Sequence, residues 1–399
     1  MTTALDFSLS TELLADLKRW RTRSLVAGGV GVALCFVGFL FSPFQFYRSY
    51  LWSYIFVVGV SVGSLAWLML QYLTGGAWGV VIRRPCEAAA RTLPLVALMF
   101  LPILIGIPNL YPWSHANMVA ADALLRQKHV YLNVPFFLAR AAFYFTGWFL
   151  FSWRLNYWSA AEDREGPGRA HARLARLAGP GLVFWGFSVT FMAIDWVLSL
   201  NPHWFSTIFG MLFMAGQALS SLAFLIALLV LLSYRRPLSE ILTPRHLHDL
   251  GKLLLALVMV WAYFSFSQFL IIWAGNLPSE IPWYMARMRG GWQFVGLGLV
   301  LFHFALPFAL LLSRDLKRNF KLLAGIALFV LFMRLVDLYW LVAPDFVKGS
   351  SPGGSWLDVA APLGVIGLWL AYFLAQLEKR PLMPLGDPQL KEALEHGRE

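Results

Sequence analysis

Cysteine is almost missing from this chain: Cys35 and Cys86 are its only two in 399 residues. Cysteine-ligated clusters need more thiolates than that, and a c-type haem needs a paired motif, so neither can be built here. Histidine is equally thin where it would matter. Of eight histidines, only His303 sits well inside an apolar segment, so no intramembrane pair can hold a haem between helices. Charge is sparse too, at 13% of residues against about 25% in soluble domains. A phosphate-binding glycine loop, a dinucleotide fingerprint and a nucleophile motif are all lacking. These shortages point away from a soluble enzyme and toward a chain that binds no redox cofactor or metal of its own.

What fills the sequence instead is apolar: hydrophobic residues make up 59% of it. Stretches long enough to cross about 30 Å of hydrocarbon predict an all-α polytopic membrane protein with ten spans. They fall near 24–42, 51–73, 92–110, 134–153, 179–200, 206–232, 252–274, 290–313, 321–342 and 357–377. Short connections make consecutive spans antiparallel neighbours, which allows two four-helix bundles, spans 2–5 and 6–9, plus two flanking helices. Three regions follow: a segment 1–23 on the membrane surface, the spans within 24–377, and a polar tail 378–399.

Orientation is read from the cations. Of the 32 lysines and arginines, six (Arg48, Arg126, Lys128, Arg287, Arg289 and Lys348) fall in connections on the side opposite the termini. Two more, Arg140 and Arg334, lie inside spans, and the remainder flank spans on the terminal side, which the positive-inside rule makes cytoplasmic. The net charge of +11 is therefore read as membrane topology, with lipid as the contact and no nucleic acid. The N-terminal segment carries Asp6, Glu12 and Asp16 without a small-residue cleavage pattern. It reads as a short surface amphipathic helix over 9–20, not as a signal peptide.

The informative residues are the charges left inside. A charge near the centre of a lone membrane helix costs about 2.5–3.5 kcal/mol on insertion scales, so it needs a partner or a job. At 1.5 Å per residue, Arg140 lies roughly 9 Å below the outer start of span 4 and Asp195 roughly 7–8 Å below the outer end of span 5. Adjacent antiparallel helices at matching depth predict that they pair. Span 9 repeats the theme within one helix, with Arg334 and Asp337 at i, i+3, and Asp358 starts span 10 on the same side. Such a cluster suits a proton path, and equally a structural ion pair that holds helices together.

Other polar residues are less specific. Gln217, Ser220, Ser221, Ser265, Ser267, Gln268, Ser61 and Ser64 are expected mainly to pack helices. His303 has a side chain suited to proton exchange, although a lone histidine facing another helix is more often structural. Glu87, after Arg83 and Arg84, reads as a solvated charge at the terminal side. His129 and Tyr131 are weak candidates for the neighbourhood of a quinone on the outer side, together with Asp195. A secondary transporter is a further class, but no inverted repeat or paired Gly/Pro-interrupted spans are evident.

Three segments carry a family resemblance: Asp195-Trp-Val-Leu-Ser-Leu-Asn-Pro-His-Trp-Phe-Ser-Thr207, Tyr131-Leu-Asn-Val-Pro-Phe-Phe-Leu-Ala-Arg140, and Leu73-Thr-Gly-Gly-Ala-Trp-Gly-Val-Val-Ile-Arg-Arg-Pro-Cys-Glu87. In combination, over nearly the whole chain, the sequence resembles the NrfD/PsrC-like membrane subunits of bacterial alternative complex III, specifically the smaller, ActF-type one. The resemblance implies a quinol:electron-acceptor oxidoreductase of the bacterial inner membrane. A second NrfD-like subunit, an iron–sulfur subunit and cytochrome c subunits would be the partners. Haem and iron–sulfur clusters would sit in those partners, and this chain would supply scaffold, a candidate quinone contact and a candidate proton path. Arg140 and Asp195 fall on the matched segments, whereas Arg334, Asp337 and His303 rest on depth alone.

Overall fold

Hydrocarbon offers no hydrogen-bond partner to a peptide group, so apolar runs of this length must close their backbone bonds within helices. The computed structural model describes residues 7–166, 169–347, 352 and 354–396. Asp6 and Lys348 lie outside the described residues. Among those described, helices dominate, no strand occurs, and ten helices are long and apolar enough to cross a membrane. They are α1 (Thr11–Phe41), α2 (Pro43–Thr74), α3 (Ala77–Ile105), α4 (Val134–Glu165), α5 (Ala170–Leu200), α6 (Phe209–Leu232), α7 (Pro244–Gly275), α8 (Trp292–Leu312), α9 (Phe320–Asp345) and α10 (Leu357–Leu377). The chain is an all-α polytopic membrane protein.

The hub is α2. From 49 to 82 the sequence holds no charged residue, and a helix apolar all round belongs in the interior. Accordingly α2 is almost wholly buried, against α1, α3, α5, α6, α9 and α10. Its contact with α6 joins spans 2–5 to spans 6–9, and Gly63 allows it: a Cβ there would lie 2.5 Å from the Gln217 carbonyl oxygen. Helices α1 and α10 run antiparallel, with Gly28 against Gly367 and Gly31 against Gly364. Ion pairs mark the two ends of the molecule. Arg21–Glu378 (2.9 Å) and Arg235–Glu12 (3.0 Å) lie at the end that holds both termini, and Arg48–Asp358 (3.0 Å) at the distal end.

Four expectations change. The segment 9–20 is not a separate surface helix: Ser10 caps a single helix continuous with the first span, and Leu13 and Leu17 are buried in the core. The third span begins at Ala77, not near 92, so Arg83, Arg84, Cys86 and Glu87 are helical. Their charges read as a loop only because their partners are remote in sequence. The distal part of α3 breaks into short helices, each with proline in its first turn (Pro94, Pro102, Pro108), where the missing N–H is tolerated. The presumed connection after residue 153 is mostly helix, because α4 runs on to Glu165. Finally, the polar tail is packed onto the protein. Leu382 and Met383 are buried, and Leu390–His396 packs on the start of α3.

The glycine contact between α1 and α10 is testable. A Cβ on Gly31 would lie 2.2 Å from the Gly364 nitrogen, whereas nothing lies within 4 Å of one on Gly29. Gly31→Leu is expected to destabilise the protein by about 1–3 kcal/mol, the range for overpacking, with Gly29→Leu near neutral. Thermal unfolding in detergent measures both.

Candidate functional site

A carboxylate and a guanidinium in hydrocarbon must satisfy one another in two dimensions, and Arg–carboxylate forks do so. Asp195, 1% exposed, is met by Arg140 at both oxygens: Nε to Oδ2 at 2.8 Å and Nη2 to Oδ1 at 2.9 Å. The Tyr144 hydroxyl, one turn below Arg140 on the same face of α4, donates a third bond at 2.7 Å. The remaining guanidinium nitrogen, Nη1, donates to the Tyr131 carbonyl at 3.0 Å, and the Tyr131 ring lies 3.8 Å from the guanidinium carbon. The pairing expected from depth is present, and Tyr131 belongs to it. His129 does not: it is exposed at the end of the short helix Ala123–Lys128.

The distal connection ties the α5–α6 turn to the same neighbourhood. Lys128 Nζ donates to the Pro202 carbonyl at 2.6 Å, and His203 meets Asp122 at 2.6 Å. Asp122 also caps the 123–128 helix, and the Leu125 N–H holds its carboxyl below the ordinary value, with His203 adding to that.

In α9, Arg334 and Asp337 form the expected i, i+3 ion pair, and the Trp261 indole N–H of α7 donates to the same oxygen, Asp337 Oδ2, at 3.1 Å. His303 is fully buried on a π-helical stretch, Leu299–Ala305, of α8. Neither of its ring nitrogens has a hydrogen-bond partner, and its ring meets Trp261 edge-on at 4.3 Å. It therefore sits behind Trp261 and is not hydrogen-bonded to the α9 pair. Such π-bulges are rare and frequent at functional sites.

The terminal end holds a larger network that the sequence reading missed. Glu87 is not solvated; it is 0% exposed. Arg84 reaches it at 2.7 Å, Arg380 at 3.1 Å and the Ser159 hydroxyl at 2.5 Å. Arg83 meets Glu162, Asp387 and, at 3.4 Å, Glu87 itself, while Arg84 also pairs with Asp163. Four arginines (83, 84, 91 and 380) thus face four carboxylates (87, 162, 163 and 387), a neutral set. The partners come from α3, the end of α4 and the tail. Two arginines previously read as distal surface charges are buried as well, Arg48 on Asp358 and Arg287 on Asp345.

Helix α4 connects the two ends. Arg140, Tyr144, Trp148, Ser152, Asn156, Ser159 and Glu162 recur every three or four residues and so line one face; all are buried. At 1.5 Å per residue the stripe is roughly 33 Å long, the thickness of the hydrocarbon core. Its polar groups are engaged: Trp148 with Ser188 (2.9 Å), Ser152 with the Ala90 carbonyl (2.8 Å), and Asn156 with Arg91 (2.7 Å). Between Tyr144 and Ser152 the only member is the Trp148 indole, so the stripe consists of two hydrogen-bonded halves with an aromatic plug roughly 12 Å long between them.

The remaining intramembrane hydroxyls are mostly packing groups. Ser220 and Ser221 bond to carbonyls of their own helix, and Ser61 and Thr92 receive the Trp369 indole at 2.8 and 2.9 Å. No group of three or more His, Cys, Asp or Glu suited to a metal occurs among the described residues. Compared with family models and with curated proteins, the chain matches none of them.

Two outcomes follow from this geometry. Asp195→Leu strands Arg140 in hydrocarbon and is expected to cost about 3–5 kcal/mol, while Asp195→Leu with Arg140→Met recovers most of it. Unfolding midpoints of the two single variants and the double variant check this; strictly additive losses would refute the coupling. Asp387→Ala removes the tail's anchor on Arg83, so limited trypsin digestion after Lys379 should become faster than in the unaltered protein.

Proposed function

We propose that this chain is the cofactor-free, NrfD-like membrane subunit of an alternative complex III-type quinol:electron-acceptor oxidoreductase, with both termini in the cytoplasm of a bacterium. Iron–sulfur and cytochrome c subunits and a second NrfD-like subunit would carry out electron transfer beside it. The observation that supports a part in coupling is the α4 stripe. It brings a carboxylate to each end of one buried helix face that is interrupted midway by Trp148: Asp195 at the distal end, Glu87 and Glu162 at the other.

In this reading the stripe works as two half-paths. A proton arriving from the cytoplasmic side is held among Glu87, Ser159 and Glu162, and one leaving on the outer side passes by Asp195 and Tyr144. Trp148 closes the middle, so transfer requires water or a side-chain movement past the indole, timed by quinol oxidation in a neighbouring subunit. Without such timing a permanently open wire would dissipate the gradient, which is why an interrupted path suits coupling better than a continuous one.

A second reading has its own support. Each carboxylate of the stripe is met by an arginine, and a neutral, saturated set of pairs is what helix attachment alone requires. The assembled complex distinguishes the two. With Asp195→Asn, which keeps the shape of the site and removes the titrating group, protons released per electron are expected to fall. Unchanged stoichiometry and turnover would leave the stripe a purely structural element.

A further inference from the structure

A groove of about 630 Å³ lies where the end of α6 meets the start of α9, and its polar lining is Ser233, Tyr234, Ser239, Arg318, Asn319 and Lys321. That volume falls within the roughly 300–1,000 Å³ of small-ligand sites. The groove belongs to the end of the molecule that holds both termini, because Arg235, next but one to Ser233, pairs with Glu12 and Asp16 of α1. Ser233 directly follows the last residue of α6, and Lys321 stands in the first turn of α9. The groove therefore sits where hydrocarbon gives way to headgroups. Leu231 and Leu322 flank it on the two helices and are about half exposed, so its mouth borders the surface that acyl chains cover.

The lining is a set of donors. Arg318 and Lys321 bring two positive charges, and among the described residues no carboxylate lines the groove. Neither cation has a side-chain partner among those residues. The carboxylates nearby in sequence do not supply one: Glu240 is held by Arg236 at 2.7 Å, and Asp315 lies outside the lining. Asn319 caps α9 by giving its Oδ1 to the Leu322 N–H at 3.1 Å, which leaves its amide N–H groups as donors. The positive end of the α9 dipole adds to the attraction for an anion. A larger cavity, about 750 Å³ between α7, α8 and α9, is the opposite in character, with walls mainly of aromatic and aliphatic side chains.

An unpaired guanidinium and an unpaired ammonium in one groove, with hydroxyl and amide donors around them, match a phosphate oxyanion. A basic pocket between helices at the membrane boundary suits the phosphate of a lipid headgroup. We infer that this groove binds an anionic phospholipid, with its phosphate diester between Arg318 and Lys321 and its acyl chains running along α6 and α9 past Leu231 and Leu322. A zwitterionic headgroup fits less well, because its ammonium would lie among two cations with no carboxylate to receive it. The site stands whether or not the chain serves quinol oxidation.

The test uses the full-length chain, stripped of lipid in a neutral detergent, with native mass spectrometry counting added dioleoyl-phosphatidylglycerol or dioleoyl-phosphatidylcholine. Binding of one phosphatidylglycerol per chain is expected, clearly tighter than that of phosphatidylcholine. Arg318→Gln combined with Lys321→Gln should weaken phosphatidylglycerol by about 30-fold, the loss of two interfacial cations, and erase the preference. Both side chains are exposed and unpaired, so the pair of substitutions leaves the fold intact. Lys18→Gln combined with Arg19→Gln removes the same charge at the same end, outside the groove, and should leave binding unchanged. Excess inorganic phosphate has the charge without the acyl chains, and the lipid should stay bound in its presence. Equal affinity for the two lipids, displacement by inorganic phosphate, or equal losses in the two double variants would each overturn the assignment.

Discussion

A charge surrounded by hydrocarbon cannot be left alone, and this single constraint organises the molecule. The insertion cost of an unpaired arginine or aspartate exceeds what one helix–helix contact returns, so each buried charge dictates which helices must touch. Arg140 and Asp195 hold α4 against α5, Arg48 and Asp358 join α2 to α10, and Arg287 and Asp345 lock the 281–287 helix to the end of α9. At the terminal end, the neutral set of four arginines and four carboxylates draws α3, α4 and the tail into one block. Apolar packing alone would not select these neighbours, since lipid tails pack against a leucine as well as another helix does.

Close approach supplies what charge does not. Gly63 brings α2 onto α6, and the Gly28, Gly31, Gly364 and Gly367 set brings α1 onto α10 at backbone contact. The consequence is a central helix, α2, that is almost wholly covered by other helices, with the polar α4 stripe on one side of it and the aromatic cavity of α7–α9 on the other. The two features are chemically opposite. In the stripe the polar groups are hydrogen-bonded and the middle is plugged by an indole, whereas the cavity is lined mainly by aromatic and aliphatic side chains.

Ten spans, their all-helical nature and the pairing of Arg140 with Asp195 were legible in the sequence, because each depends on something local: the length of an apolar run, or the depth of a charge on adjacent antiparallel helices. The i, i+3 spacing of Arg334 and Asp337 was legible for the same reason. Glu87 was not. Its partners Arg380 and Ser159 lie 293 and 72 residues away, and four charges within nine residues of a membrane protein look like a loop until their counter-charges are found. The burial of Arg48 and Arg287 was hidden for the same cause, since a position at a span boundary says nothing about whether a remote carboxylate covers it. Only the tertiary structure decided which charges are buried, that α4 presents its polar residues to α3 and α5 as one seam, and that α7, α8 and α9 stand apart enough to leave a cavity. Composition and periodicity act along the chain, whereas compensation of charge and the filling of volume are settled between segments that the sequence keeps far apart.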